Sequence, residues 1–401
     1  MKRFIFLMSL FYLIQLYGGN PGLFDIPLQL YLKETLGFSA EQLAWFFTVT
    51  VFPWTIKPLW GIISDSYPVF GSTVRSYFIL CYALSFGLFV GLGSLGSLNG
   101  MILLGAVGLA STAIAFSDVL TDKLMVVEGR EEGTTGVLQA AQWSAFSFGG
   151  AAMMYLGGWI AERGSLSTAF LLTALVPLLG LVATLALIRE RPKAPGETSL
   201  KRSAGALWGA MRSRQFLTCA AFIAALRLHV YPPLIFYQRD VLQFDPVFIG
   251  TWSAVVFLAN GVGAIVFGLY ARHIPRTRLL NLTVGFNVVA TLGFIFMTDE
   301  KSAIAVAIAV GLTDMIGTLG ILEVAARSCP PGIEGTAYAL MMSVYNLFTR
   351  PGAIIGAMLW DAGWSFPTLV LIGTGLTAVC WFLIPFLRLE EEEIVGEPGS
   401  R

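Results

Sequence analysis

Long apolar runs recur along this 401-residue chain, separated by short polar turns. A helix needs about 20 mostly apolar residues to cross a bilayer. Twelve stretches meet that need: 4–32, 41–63, 76–96, 100–122, 135–161 and 166–188, then 215–238, 246–270, 279–297, 302–325, 335–359 and 365–387. The first follows Met1-Lys2-Arg3, outlasts the apolar region of a signal peptide and meets no clean small-residue cleavage site, so it reads as a membrane helix. The stretch 189–214 breaks the rhythm with Pro192, Pro195, Gly196, seven basic residues and no long apolar run. The pattern therefore predicts an all-α membrane protein: a six-helix bundle over 1–190, a basic linker over 191–214, a second six-helix bundle over 215–389, and an acidic tail over 390–401.

Composition agrees. Hydrophobic residues make up 56% of the chain and charged residues 12%, against about 25% charged in an ordinary soluble domain. That surplus needs lipid as solvent. The 43 glycines fit close helix approach in a bilayer. Zero formal net charge gives no sign of nucleic-acid binding. Lysine and arginine bias sets the orientation. With the N terminus in the cytoplasm, 19 of the 25 basic residues lie on the cytoplasmic side, and only Lys33, Arg163, Arg239 and Lys301 lie opposite. Both termini are therefore expected in the cytoplasm, in a multi-pass protein of the cell (inner) membrane. Trp159, Trp360 and Trp364 fall near helix ends and read as interfacial anchors.

The halves repeat at an offset of 206 positions: Pro27 meets Pro233, Tyr31 meets Tyr237, Lys33 meets Arg239, Glu34 meets Asp240, Leu36 meets Leu242 and Phe38 meets Phe244. Two like-oriented six-helix repeats joined by a cytoplasmic linker are the plan of the major facilitator superfamily. In that plan helices 1, 4, 7 and 10 line a central cavity, and each carries a charge here: Asp25, Asp118, Arg227 and Asp314. Arg350 lies mid-helix in helix 11, and Asp122 stands one turn beyond Asp118 on the same face. A charge in hydrocarbon costs at least about 2.5–3.5 kcal/mol, so these residues are informative. They either form ion pairs that lock the halves together or hold a polar solute at the midplane. Asn20 and Pro21, within Gly18-Gly19-Asn20-Pro21-Gly22, interrupt helix 1, and Pro232-Pro233 interrupts helix 7. Paired breaks of this kind point to a binding site, although a simple kink fits as well. No Walker-type phosphate loop, metal-ligand cluster or nucleophile triad occurs in the sequence, so no ATP-driven step, enzyme activity, cofactor or metal is expected. Oligomeric state stays open, a monomer being the simpler expectation.

Specific motifs sharpen this. Gly61, Asp65, Gly71 and Arg75, at the turn between helices 2 and 3, resemble the gate-latching loop motif of the major facilitator superfamily. The stretch from Pro53-Trp54-Thr55-Ile56-Lys57-Pro58 through Gly61 and on to Ser64-Asp65-Ser66-Tyr67-Pro68 is similar to the signature of the folate–biopterin transporter family. So are Ser117-Asp118-Val119-Leu120-Thr121-Asp122 with Val127-Glu128, and Cys329-Pro330-Pro331-Gly332 with Glu334-Gly335-Thr336 and Asn346. Ser72-Thr73-Val74-Arg75 and Lys123 depart from the usual family residues, both on the cytoplasmic side. The resemblance implies proton-linked movement of folates or pterins through the bilayer. A pterin edge offers adjacent N–H donors that suit Asp25 or Asp314. A folate tail offers carboxylates that suit Arg227 or Arg350. Trp143 and Tyr231 are candidates to stack on the ring. Asp118 or Asp122 would carry the coupling proton, and Lys57, Gly61, Asp65 and Arg75 would form the gate. A transporter of another small polar or anionic solute, or a non-transporting receptor or assembly factor on the same fold, are the alternatives.

Overall fold

The computed structural model describes residues 2–16, 22–132, 135–188, 205, 209, 214–270, 274–328 and 334–387. Apart from 205, 209 and 214, the predicted linker (191–214) lies outside the described residues, as do the acidic tail and Asn20 and Pro21. Among the described residues no β-strand forms; a single bridge, Val69 with Ser72, shapes one turn.

Helices fall on all twelve predicted stretches. The first carries α1 (Lys2–Gln15) and α2 (Asp25–Leu30), which runs into a π-helical turn at Tyr31–Thr35. The second carries α3 (Ala40–Val51), a 3-10 turn at Phe52–Trp54 and α4 (Lys57–Ser66). Then come α5 (Arg75–Ser94), α6 (Gly100–Glu132), α7 (Thr135–Arg163) and α8 (Leu166–Leu187). In the second half, α9 (Arg214–Arg227) is followed by the short α10 (Leu234–Phe236) and a π-helical turn at Tyr237–Val241. The series ends with α11 (Pro246–Tyr270), α12 (Arg276–Gly293), α13 (Glu300–Arg327), α14 (Glu334–Asp361) and α15 (Phe366–Val379). Eight spans among the described residues are long and apolar enough to cross a membrane. The described apolar parts of α1 (Ile5–Gln15) and α9 (Phe216–Arg227) are shorter, and α9 ends at the non-helical residues 228–233. On α8, Leu171, Leu175, Leu179 and Val182 are exposed one turn apart, an apolar stripe that lipid satisfies and water would not.

The repeat extends to backbone detail. The π turns at Tyr31 and Tyr237 lie 206 positions apart and close with matching bonds: Leu36 N–H to Tyr31 O and Leu242 N–H to Tyr237 O, both 3.0 Å. Each turn ends on a residue with positive φ, Gly37 at 69° and Gln243 at 55°. Each is followed by an N-cap at the same offset. Ser39 caps α3 in a capping box with Gln42, and the Asp245 carboxylate accepts from Phe248 N at 2.6 Å ahead of α11. Both tyrosine hydroxyls then tie down a neighbouring loop, Tyr31 to Leu98 O at 2.9 Å and Tyr237 to Met297 O at 3.0 Å. The last helix of each half starts alike, Ser165 capping α8 and Ser365 capping α15.

The halves touch through α7 and α11. A Cβ built on Gly158 would meet Pro246 O and lie 2.8 Å from Gly250 Cα, so only glycine permits this approach. Small residues of this kind let membrane helices meet backbone to backbone. Gly158→Val is expected to destabilise the protein by about 1–3 kcal/mol, as overpacking does. Thermal unfolding in detergent measures it, and a wild-type melting temperature would contradict the tight contact.

Candidate functional site

Between the halves lies a cavity of about 1290 Å³, larger than the roughly 300–1,000 Å³ of an ordinary ligand pocket. It is lined by all six predicted solute-contacting residues, Asp25, Trp143, Arg227, Tyr231, Asp314 and Arg350, together with Lys57, Gly61, Asp118, Asp122 and Pro233.

Arg227 ends α9, where the helix stops. Residues 228–233 are non-helical and pack on glycine faces: Tyr231 N–H donates to Gly352 O at 3.2 Å, and any Cβ on Gly352 or Gly356 would collide with that stretch of backbone. The break places Arg227 and Tyr231 at the cavity wall. Arg227 Nε donates to Thr349 Oγ1 at 3.1 Å, and its guanidinium lies 4.3 Å from the Tyr345 ring centre and 5.9 Å from that of Tyr231. Its remaining N–H groups make no hydrogen bond among the described residues. At the cavity wall the guanidinium is thus flanked by two tyrosine rings and the Thr349 hydroxyl.

Asp25 is buried and accepts one bond, from Gln29 Nε2 at 3.2 Å. Asp314 and Arg350 have neither hydrogen bond nor ion pair among the described residues, though Asp314 lies within electrostatic reach of Arg227, and Arg350 of Asp25. The two acids and two arginines therefore line one cavity without contacting each other directly, which disfavours the reading in which they lock the halves together as ion pairs. Uncompensated charges in a low-dielectric interior are costly unless water or a polar solute meets them. Trp143 packs edge-on against Phe146, with ring centres 5.7 Å apart, and the Tyr231 hydroxyl is buried without a hydrogen-bond partner among the described residues.

Among the described residues a direct ion pair in the cavity wall lies elsewhere. Lys57 Nζ contacts Asp118 Oδ2, with the ammonium 4.8 Å from the Trp54 ring centre. One turn on, Asp122 accepts from Tyr12 OH at 3.1 Å. Asn346 Nδ2 donates to Trp54 O at 3.3 Å. Family-like stretches far apart in sequence thus meet around Trp54, Lys57, Asp118 and Asn346. Lys57 joins this cluster and not Arg75, whose Nη2 lies 3.5 Å from Leu185 O near the end of α8. Gly61 of α4 faces Val119 of α6, and a Cβ there would make only an ordinary contact at 3.6 Å. The side chain of Asp65 lies outside the described residues. Tyr12, Gln29, Tyr345 and Thr349 were not singled out in the sequence. Each is a polar side chain inside an apolar run, and Tyr345 and Thr349 stand four apart on one helical face.

Residues 18–375 match the BT1 family. The chain belongs to the BT1 family. A folate-biopterin transporter of Synechocystis sp. is 29% identical, across 96% of this chain and 84% of that protein. Probable folate-biopterin transporter 4 of Arabidopsis thaliana is 26% identical, across 99% and 97%. Among solved structures, the nucleoside transporter NupG superposes with a TM-score of 0.73 at 12% identity, covering 97% of this chain and 99% of that one. A D-xylose-proton symporter superposes with a TM-score of 0.74 at 13% identity, covering 95% and 97%. This BT1 family member therefore has the major facilitator fold and is a multi-pass membrane transporter, not an enzyme.

Proposed function

We propose that this BT1 family member moves folates or pterins across the membrane by alternating access, coupled to protons. The observation that carries the reading is the cavity's split chemistry. Among the described residues, Arg227 and Arg350 offer guanidinium groups without ion-pair partners, and Asp25 and Asp314 offer carboxylates in the same condition. A pterin-type ring with N–H donors and an anionic glutamyl tail presents the complementary pattern. In this scheme Asp25 or Asp314 takes the ring edge and Arg227 or Arg350 the tail, with Trp143 and Tyr231 beside the ring. Asp118 or Asp122 carries the coupling proton beside Lys57. The halves 1–190 and 215–389 rock about the cavity on the linker 191–214. The break at Pro233 lines the cavity, its expected counterpart at Asn20-Pro21 lies outside the described residues, and Gly61, Asp65 and Arg75 serve the cytoplasmic gate. The protein acts as a monomer in the cell membrane with both termini cytoplasmic.

Uptake into proteoliposomes of labelled folate, 5-formyltetrahydrofolate and biopterin, with and without a pH gradient, tests the scheme. No uptake of any of the three by verified folded protein would sink the cargo assignment; uptake indifferent to the gradient would sink the coupling alone. Arg227→Ala and Arg350→Ala are expected to weaken folate binding about ten-fold or more, the worth of a charge-assisted hydrogen bond, and biopterin far less. Equal losses for both ligands would contradict the tail contact.

A further inference from the structure

The π-helical turn at Tyr237–Val241 holds a polar group that the turn does not use. Gln238 is 2% exposed, lines the cavity, and has its Nε2 buried without a hydrogen-bond partner among the described residues. An unpaired buried amide costs about 1–3 kcal/mol, so its presence calls for a reason.

The repeat supplies the control. The equivalent residue, 206 positions earlier, is Leu32, fully buried and apolar. Both residues do the same backbone work: Phe38 N–H donates to Leu32 O and Phe244 N–H to Gln238 O, each at 2.9 Å. Leucine therefore builds this turn as well as glutamine does. The amide is surplus to folding, and it appears only in the half that also carries Arg227. The turn itself is held firmly, with the Tyr237 ring stacked on Phe366 at 3.7 Å and the next residues, Arg239 and Asp240, ion-paired to Glu34 and Lys33.

We propose that Gln238 is a cargo-contacting residue that donates its side-chain N–H to a ring carbonyl, reading the heterocycle and not the anionic tail. The proposal rests on the folate or pterin cargo assignment. Folate and biopterin share the ring lactam carbonyl and differ in the tail, so Gln238 and Arg227 must give different selectivity patterns.

The experiment measures equilibrium binding of folate and biopterin to the full chain in detergent for wild type, Gln238→Leu, Gln238→Met and Arg227→Ala. The leucine variant installs what the other repeat already uses in this turn, and the methionine variant keeps length while removing the amide. Spin labels at Thr35→Cys and Val241→Cys, exposed and equivalent in the two repeats, report whether the turn keeps its place without ligand. Both Gln238 variants are expected to leave that distance unchanged and raise Kd about ten-fold for folate and biopterin alike. Wild-type affinity in both variants overturns the proposal and leaves the cargo assignment standing. A loss confined to folate also overturns it, because the contact would then be to the tail. A shifted label distance in both variants overturns it by making the amide structural. If wild type binds neither ligand, the cargo assignment falls and this contact falls with it.

Discussion

Lys57→Ala is expected to cost about 3–5 kcal/mol of folding stability, and adding Asp118→Ala to the same chain is expected to restore most of it. The carboxylate of Asp118 is only 5% exposed, and Lys57 Nζ is its ion-pair partner. Removing the lysine strands a buried charge, whereas removing both partners leaves only lost packing. Asp118→Ala alone should be milder. Lys57 is 23% exposed, faces the Trp54 ring and stays within electrostatic reach of Asp122, so its charge is not abandoned. A double-mutant cycle read by denaturant or thermal unfolding in detergent isolates the coupling. Additive losses would show that the two side chains are not energetically paired. The same pair bears on the proton scheme. With Lys57 committed to Asp118, Asp122 is the carboxylate of the two that is held by a neutral hydroxyl, that of Tyr12.

The membrane class was legible because lipid demands a crude signal, some twenty apolar residues at a time. The charged cavity residues were legible for the related reason that a charge in such a run is rare and conspicuous. Their partners were not. Lys57 and Asp118 are 61 positions apart, and Arg227 meets Tyr345 and Thr349 from the far end of the second half. Tertiary packing alone brings them together. Proline was an uneven guide. Pro232 and Pro233 do mark a real break, yet α8 continues through Pro177 and α14 through Pro351. Neighbouring helices in a bilayer can re-satisfy the freed backbone groups, so proline weakens a membrane helix without ending it. The repeat was visible as six matched residues, but the π turns beneath them were not, since no side-chain pattern spells a five-residue bond. The positive φ of Gln243 is a further case. Glycine stands at that position in the first half, and only the paired geometry explains why glutamine must adopt it in the second.

Reversing the two cations of the outer ion pairs, Lys33→Glu with Arg239→Glu, is expected to favour opening of the face opposite the N terminus by about 2 kcal/mol, roughly thirty-fold in population. On that face Lys33 Nζ lies 2.5 Å from Asp240 Oδ1, and Arg239 Nε lies 2.7 Å from Glu34 Oε1. The two bridges are one bridge seen twice: cation and anion of each half exchange partners across the repeat axis. Asp361 reinforces the closure by accepting the backbone N–H of Glu41 at 2.8 Å and of Ala40 at 3.2 Å. Each bridge is partly exposed, with the acids 48% and 41% accessible, so each alone contributes only about 0.2–1 kcal/mol. The reversal acts twice, replacing two attractions by two repulsions, which is why the expected effect exceeds that of either bridge. Spin labels at Thr35→Cys and Val241→Cys measure the opening. Adding Glu34→Lys and Asp240→Lys should restore the closed distance, because the reciprocal geometry accepts either polarity. Moving from about 0.1 to about 1 M salt shrinks the Debye length from about 10 to about 3 Å and should narrow the gap between reversed and native proteins. A four-fold swap that stays as open as the two-fold one would mean that Lys33 and Arg239 hold this face through Phe236 and Phe244 O, which they also contact, and not through charge.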